Sequence, residues 1–254
     1  MDYSVKSGSP EKQRVGCVIV GIYDRRSPSP AAAVLDTASG GAISAVLRRG
    51  DMDGKLATTL VLHNIPGVLA DRVMLVGLGR ERSFDESAFR KTVAASSQAL
   101  RATGAIDAVS YLTHLPVKGR DFRWNVTQAV LAAENVFYRF DECRGAKARE
   151  ELPVYKLERY VFDVPRRADL PAGERGLTEA LAIAKGVALT KNLGNLPGNI
   201  CTPTYLAEQA KALATRYPIK TRILEQADME KLGMGALLSV AKGSRQPPKL
   251  IVME

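Results

Sequence analysis

Apolar residues run almost unbroken from Val15 to Tyr23, as in a strand buried on both faces of a sheet. Shorter apolar runs at Thr58 to His63, Arg72 to Val76, Asp107 to Leu112 and Leu157 to Val164 predict further strands. Between them the period changes. Phe122, Val126, Ala129, Val130, Ala133, Phe137 and Phe140 step by three or four, which predicts an amphipathic helix. Phe89, Val93 and Leu100 line one side of another, with Ser83 as N-cap, Glu86 completing a capping box and Gly104 at its end. Ala42 to Arg49 reads as a short helix. Strands alternating with helices predict an α/β domain, a mixed sheet with flanking helices.

Two interruptions follow. Asp141 to Pro153 is charged and almost free of large apolar groups, which predicts a surface loop. The stretch from Pro165 to Pro171 closes a first domain at residues 1–165. Beyond it Leu177, Leu181, Ala184 and Ala188 share a helix face, widened by Ala180, Ile183 and Val187. Gly176 and Gly186 each cost that helix roughly 1 kcal/mol relative to Ala, which points to close packing against a neighbour. Residues 166–192 thus form a linker and connector helix.

Asn192 to Asn199 has the composition of a turn, and Thr202-Pro203 makes an N-cap and first helical position. Leu206, Ala210, Leu213 and Tyr217 mark the next helix. A strand at Ile219 to Leu224, a short helix at Asp228 to Leu232 stopped by Gly233, and a strand at Lys249 to Glu254 complete a second α/β unit, residues 193–254. A unit that small buries a marginal core. Its sheet also lacks covering helices. The expectation is an incomplete second domain in the N-terminal part of a longer protein.

Composition adds three constraints. Hydrophobic residues make up 46% and charged residues 25%, an ordinary globular mix. No apolar run approaches the ~20 residues that span a bilayer, so no membrane partner is expected. The N-terminus has no export-signal layout, and Cys17, Cys143 and Cys201 are odd in number and far apart, which predicts a reducing cytoplasm and no disulfide framework.

Lys and Arg total 36 against 27 Asp and Glu, a net charge of +9 spread along the chain, which suits a polyanionic partner. Candidate nucleic-acid contacts are Lys118, Arg120 and Arg123, interleaved with Phe122 and Trp124, and Arg144, Lys147 and Arg149 in the charged loop. A solvated basic loop with Phe122 in the core is the competing description.

Other chemistry is sparse. His63 and His114 are far apart, and neither HExxH nor CxxC occurs. Asp51-Met52-Asp53-Gly54 lacks the third carboxylate and distal Glu of a calcium loop, so it reads as a turn. The strand ending Gly77-Leu78-Gly79 has Arg82 where a dinucleotide fingerprint needs a third Gly. Gly50 to Lys55 is too short for a phosphate loop, with Leu56 where Ser or Thr is required. No GxSxG or Cys–His arrangement supplies a nucleophile. The residues alone therefore define no catalytic or metal site.

Several stretches together resemble the bacterial leucyl aminopeptidases, also called cytosol aminopeptidases or aminopeptidase A. They are Val5 to Arg14, Leu47 to Gly50, Val117 to Arg120, Ala182 to Ala184, Leu193 to Cys201, and Leu232 to Met234 with Gly243-Ser244. The Asn-x-Pro-x-Asn at Asn195 to Asn199 is the most specific piece. The resemblance implies a macro-domain-like N-terminal α/β domain, a connecting helix and a catalytic domain. It also implies a cytosolic homohexamer that removes N-terminal residues, leucine preferred, from peptides. Two divalent cations, manganese or zinc, would activate the attacking water, aided by a lysine and an arginine with bicarbonate beside it. That family's ligands lie in Gly-Lys-Gly-x-Thr-Phe-Asp and Asn-Thr-Asp-Ala-Glu-Gly-Arg stretches, which this sequence lacks; family order places them after Glu254. No cation is thus expected to be ligated here, and the chain alone is expected to be inactive. Bacterial members also bind DNA in recombination and transcriptional control, which gives DNA as an alternative partner. A macro-like domain invites a nucleoside diphosphate, which the broken glycine pattern does not support.

Overall fold

Seven consecutive residues, Cys17–Tyr23, are buried in one strand, β2, so both of its faces must be covered. The computed structural model, which describes residues 1–152 and 155–254, builds the first unit around this strand. Contacts divide the chain into residues 1–139 with 145–186, and residues 140–144 with 187–254.

The first unit contains β1 (Asp2–Lys6), β2, β3 (Ser27–Pro28), α1 (Pro30–Ala38), α2 (Ala42–Arg49), β4 (Thr59–His63) and β5 (Arg72–Gly79). It continues through α3 (Glu86–Arg101), β6 (Asp107–Ser110), α4 (Phe122–Phe137), α5 (Ala146–Glu150), β7 (Arg159–Asp163) and the start of α6 (Leu170–Asn195). Among the described residues its seven strands form one sheet in the order β1-β7-β6-β2-β5-β4, with β3 also on β2. Neighbours from β1 to β5 are parallel; β4 and β3 pair antiparallel. One face packs Val18, Val20, Ile22 and Leu75 with Leu35 of α1 and Ile43 and Val46 of α2. The other packs Cys17, Ile19, Met74 and Val76 with Phe89 and Val93 of α3 and Val126 and Ala129 of α4. This is the expected mixed α/β fold with flanking helices.

Local details differ from the sequence pattern. Ser83 does not cap α3. It lies in a 3-10 turn, where its hydroxyl donates to the Arg80 carbonyl at 3.3 Å. Asp85 is the cap and accepts from the Ala88 amide at 2.8 Å. A carboxylate there also meets the positive end of the helix dipole. The predicted loop from Asp141 contains α5, since Ala, Lys, Arg and Glu all favour helix; its predicted end, Pro153, lies outside the described residues. β6 stops at Ser110, and Leu112–His114 forms a 3-10 turn. Phe140 lies beyond the end of α4.

The helix α6 is longer than expected at both ends. Pro171 fits its first turn, where no amide partner is lost. Asn192 to Asn195 continue the helix instead of turning. The Leu196 amide still donates to the Asn192 carbonyl at 3.1 Å, and Pro197 then disfavours further helix. No single helix among the described residues is long and apolar enough to cross a membrane.

The second unit contains the end of α6, α7 (Pro203–Arg216), β8 (Thr221–Leu224), α8 (Gln226–Lys231), α9 (Gly235–Ala241) and β9 (Leu250–Met253). Thr202 caps α7 by accepting from the Tyr205 amide, as its sequence predicts. β8 and β9 pair antiparallel. Ala207, Ala210, Leu224 and Met229 are buried, whereas Tyr217, Leu232, Leu237, Val240 and Met253 are exposed.

Two of the glycines in α6, Gly176 and Gly186, separate cleanly. A Cβ on Gly176 would sit 2.5 Å from the Arg123 carbonyl oxygen of α4, a contact no side chain tolerates. The Thr127 hydroxyl is shared between the carbonyls of Arg123 and Gly176, at 2.8 and 3.1 Å. A Cβ on Gly186 would meet nothing within 4 Å among the described residues. In urea unfolding, Gly176→Ala is expected to lose about 1–3 kcal/mol through overpacking. Gly186→Ala is expected to gain up to about 1 kcal/mol of helix propensity.

Candidate functional site

The loop leading into α4 is shaped by two side chains and a turn. Val117 is buried, the Arg120 amide donates to its carbonyl at 3.0 Å, and Gly119 takes φ 73° between them. Asp121 then caps α4, accepting from the Trp124 amide at 2.9 Å. Arg120 and Arg123 thereby line an open groove with Trp124, Thr127 and Glu179, and Lys118 is exposed in the same loop.

Two of these cations already hold carboxylates. Arg120 Nε donates to Glu86 at 2.6 Å, and Arg90 reaches the same carboxylate at 2.8 Å. Arg123 Nε donates to Glu179 of α6 at 2.9 Å. The Arg120 hydrogen bond holds the Glu86 carboxyl below its ordinary pKa, and that of Arg123 does the same for Glu179. Arg90 and Arg120 both approach the Trp124 ring, their guanidinium carbons 5.7 and 5.4 Å from its centre. Phe122 is half-buried.

The other three cations are not among the residues lining this groove. Lys147 and Arg149 are exposed on α5 of the first unit. Arg144 belongs to the second unit, where its amide donates to the Asp141 carbonyl at 3.1 Å.

Other sequence candidates resolve into structure. The amides of Gly77 and Gly79 donate to the carbonyls of Thr58 and Gly54, each at 2.8 Å, so neither is available to a phosphate. Gly54 has φ 85°, consistent with a turn after Asp53. Cys17 is fully buried, and burial pushes its thiol up to about 12. Cys143 is exposed and Cys201 half-buried. Among the described residues, no three His, Cys, Asp or Glu side chains are grouped to hold a metal ion.

A buried polar cluster escapes sequence reasoning because its members are distant in the chain. Asp163, at the end of β7, has a side chain 1% exposed and sits 3.0 Å from His114 Nε2. Its other oxygen, Oδ2, has no hydrogen-bond partner. The Thr113 hydroxyl donates to the Asp163 carbonyl. Nearby, the Tyr111 hydroxyl donates to the Gly8 carbonyl at 2.7 Å and accepts from Gln13 at 2.9 Å. Burial raises the Asp163 carboxyl above its ordinary pKa, and His114 and Lys6 offset only part of that.

Two family models match the chain in order. The N-terminal domain of the cytosol aminopeptidase family matches residues 19–147, and that family's catalytic domain matches residues 188–254. A probable cytosol aminopeptidase of Thioalkalivibrio sulfidiphilus is 55% identical over 100% of this chain and 51% of its own length. One from Dechloromonas aromatica is 50% identical over 100% of this chain and 50% of its own length. The chain thus spans about half the length of the curated relatives it matches. Among solved structures, a mutant tomato leucine aminopeptidase aligns with a TM-score of 0.79 and 24% identity, over 100% of this chain and 50% of that one. The bottromycin maturation enzyme BotP in complex with Mn gives a TM-score of 0.71 and 22% identity, over 94% and 45%. These structural likenesses are likenesses of fold.

The Asp163 cluster has a pH signature. Because its folded pKa lies above the unfolded value of about 3.9, the fold binds this proton more tightly than the unfolded chain does. The carboxylate therefore costs no stability below about pH 4, and its cost is complete once pH exceeds the folded pKa. Asp163→Asn keeps the shape and removes the charge. Urea midpoints at stepped pH should show the variant gaining on the wild type as pH rises above about 4. A gap that is constant or shrinks with pH would refute this.

Proposed function

The chain belongs to the cytosol aminopeptidase family, and from that premise we propose that it forms the N-terminal part of a metal-dependent exopeptidase. Its reaction is hydrolysis of the first peptide bond of peptides with a free N-terminus, leucine preferred. The observation that carries this proposal is the succession of the two family domains along one chain, at residues 19–147 and 188–254. The full-length alignment with relatives named as probable cytosol aminopeptidases supports it. A cytosolic homohexamer is part of the same proposal, by resemblance.

The metal-assisted step requires two divalent cations about 3.5–4 Å apart, hence several converging carboxylates. The residues present do not fit that requirement, since no such group exists among the described residues. No step of hydrolysis is therefore assigned to this chain. Its own contribution is the packed first unit and the helix α6, which carries the backbone from Leu170 to Asn195 and into the residues matched by the catalytic-domain model. The ligands are proposed to follow Glu254, in the stretches that the resemblance requires and this sequence lacks. Nothing in the geometry of Lys118, Arg120, Arg123, Arg144, Lys147 and Arg149 favours DNA over solvent.

The test compares two lengths of the gene product, stripped of metal and then supplied with manganese or zinc. The 254-residue chain is expected to release no leucine from a leucyl anilide, and the longer product to do so only with metal. Metal-dependent turnover by the short chain, or an inactive metal-loaded long product, would overturn the proposal.

A further inference from the structure

At the carboxyl end of the first unit's sheet, basic side chains outnumber the carboxylates beside them, Asp24 and Asp53. β2 ends at Tyr23, and Asp24–Arg26 turns the chain back so that Ser27 pairs with Tyr23 and Pro28 with Ile22. Arg25 and Arg26 both take left-handed backbone, with φ of 61° and 63°. Left-handed backbone favours Gly and Asn, because a Cβ crowds the following carbonyl oxygen there. Two arginines hold those positions instead.

Neighbouring loops bring more positive charge. Arg26 Nη1 donates to the Arg48 carbonyl at 3.4 Å, at the C-terminal end of α2. A carbonyl orients a guanidinium but leaves its charge uncompensated. Arg25, Arg26 and Arg48 are exposed and carry no ion pair among the described residues. Gly54 lies so close to the Tyr23 carbonyl that a Cβ would overlap it, which draws the loop carrying Lys55 over the end of β2. Lys55 and Arg80 are held only by exposed pairs, to Asp53 at 2.9 Å and to Asp24 at 4.0 Å.

Topology marks the same place. From β2 the chain proceeds to β5 on one side, and from β5 to β6 on the other side of β2. Open α/β sheets take ligands outside the carboxyl ends of strands where the order reverses in this way.

We propose that this rim binds a small polyvalent phosphate anion, pyrophosphate or a longer inorganic phosphate, through Arg25, Arg26 and Arg48. Guanidinium forks match phosphate oxygens in pairs, and a turn that sets the backbone of two arginines beforehand lowers the ordering cost of binding. The aromatic rings at this rim are Tyr23 and Phe84. Both are buried and packed edge to face, 6.0 Å apart, so among the described residues these two rings offer a nucleobase no exposed face to stack on. Recognition therefore rests on the phosphates. This site lies within the first unit and does not depend on the peptidase proposal.

The test is calorimetric titration of the 254-residue chain with pyrophosphate, with ADP, and with sulfate at matched ionic strength. Pyrophosphate is expected to bind saturably, ADP no more tightly, and sulfate at least about tenfold more weakly. The R25N/R26G variant restores the residues the turn prefers. It should melt at a higher temperature than the wild type while binding pyrophosphate at least about tenfold more weakly. The R25Q/R48Q variant removes charge and leaves Arg26 in its turn; it should keep the wild-type melting temperature and lose binding. Absence of saturable binding by the wild type overturns the proposal, as does undiminished binding by both variants. ADP binding far more tightly than pyrophosphate would also overturn it, since the base would then be recognised.

Discussion

Burial of β2 on both faces is the constraint from which the first unit follows. Each Val or Ile fully buried there is worth about 1.5–3 kcal/mol, so exposing either face would cost several such contributions. Its parallel neighbours β5 and β6 can be reached only by crossover connections, and those connections supply the covering helices. Both faces are consequently filled with apolar side chains, and polar chemistry is displaced to the strand ends. The Asp163–His114 pair and the Arg25–Arg26 turn both lie at the carboxyl ends of strands for this reason.

The same constraint explains which elements the sequence discloses. β2 and β5 are nearly continuous apolar runs, and α4 has an unambiguous three-and-four spacing. β1 is different. It is an edge strand with mixed burial whose partner, β7, begins at Arg159, so only a contact remote in sequence defines it. In α1, Pro-Ala-Ala-Ala-Val-Leu-Asp-Thr-Ala has too few large apolar residues to show a period. Its start was nevertheless written in Ser29, which accepts from the Ala32 amide, and in Pro30 at the first helical position. Asn192 to Asn195 fail in the opposite sense, because an established helix propagates through weak helix formers at one bond per residue.

Candidate chemistry was less legible than fold, because a sequence shows cations without showing their partners. Arg120 finds Glu86, 34 positions away, and Arg123 finds Glu179, 56 positions away. Trp124 interleaved with basic residues has the pattern of a stacking platform. Its ring instead accommodates the guanidiniums of Arg90 and Arg120 from the same molecule. Arg25 and Arg26 carried no such pattern. Their distinction is a pair of positive φ angles, a property of the folded backbone that arginine itself disfavours.

The acidic residues complete the account, because their local tasks explain why no metal group assembles among the described residues. Asp85 and Asp121 cap helices, and Asp228 receives the Glu225 amide at the start of α8. Asp36 accepts from the Ser44 amide at 2.7 Å, and Asp107 from the Gly16 amide at 2.7 Å and from Arg159 at 2.8 Å. Glu86, Glu179 and Asp169 are held by guanidiniums. A carboxylate committed to an amide or a guanidinium keeps its charge near that donor. Bringing three such groups together around a dication would require each to release its partner. Asp163 is buried with one oxygen free, yet it belongs to no metal-holding group of three His, Cys, Asp or Glu side chains among the described residues. The acidic side chains named here thus hold turns, helix starts and arginines within their own unit.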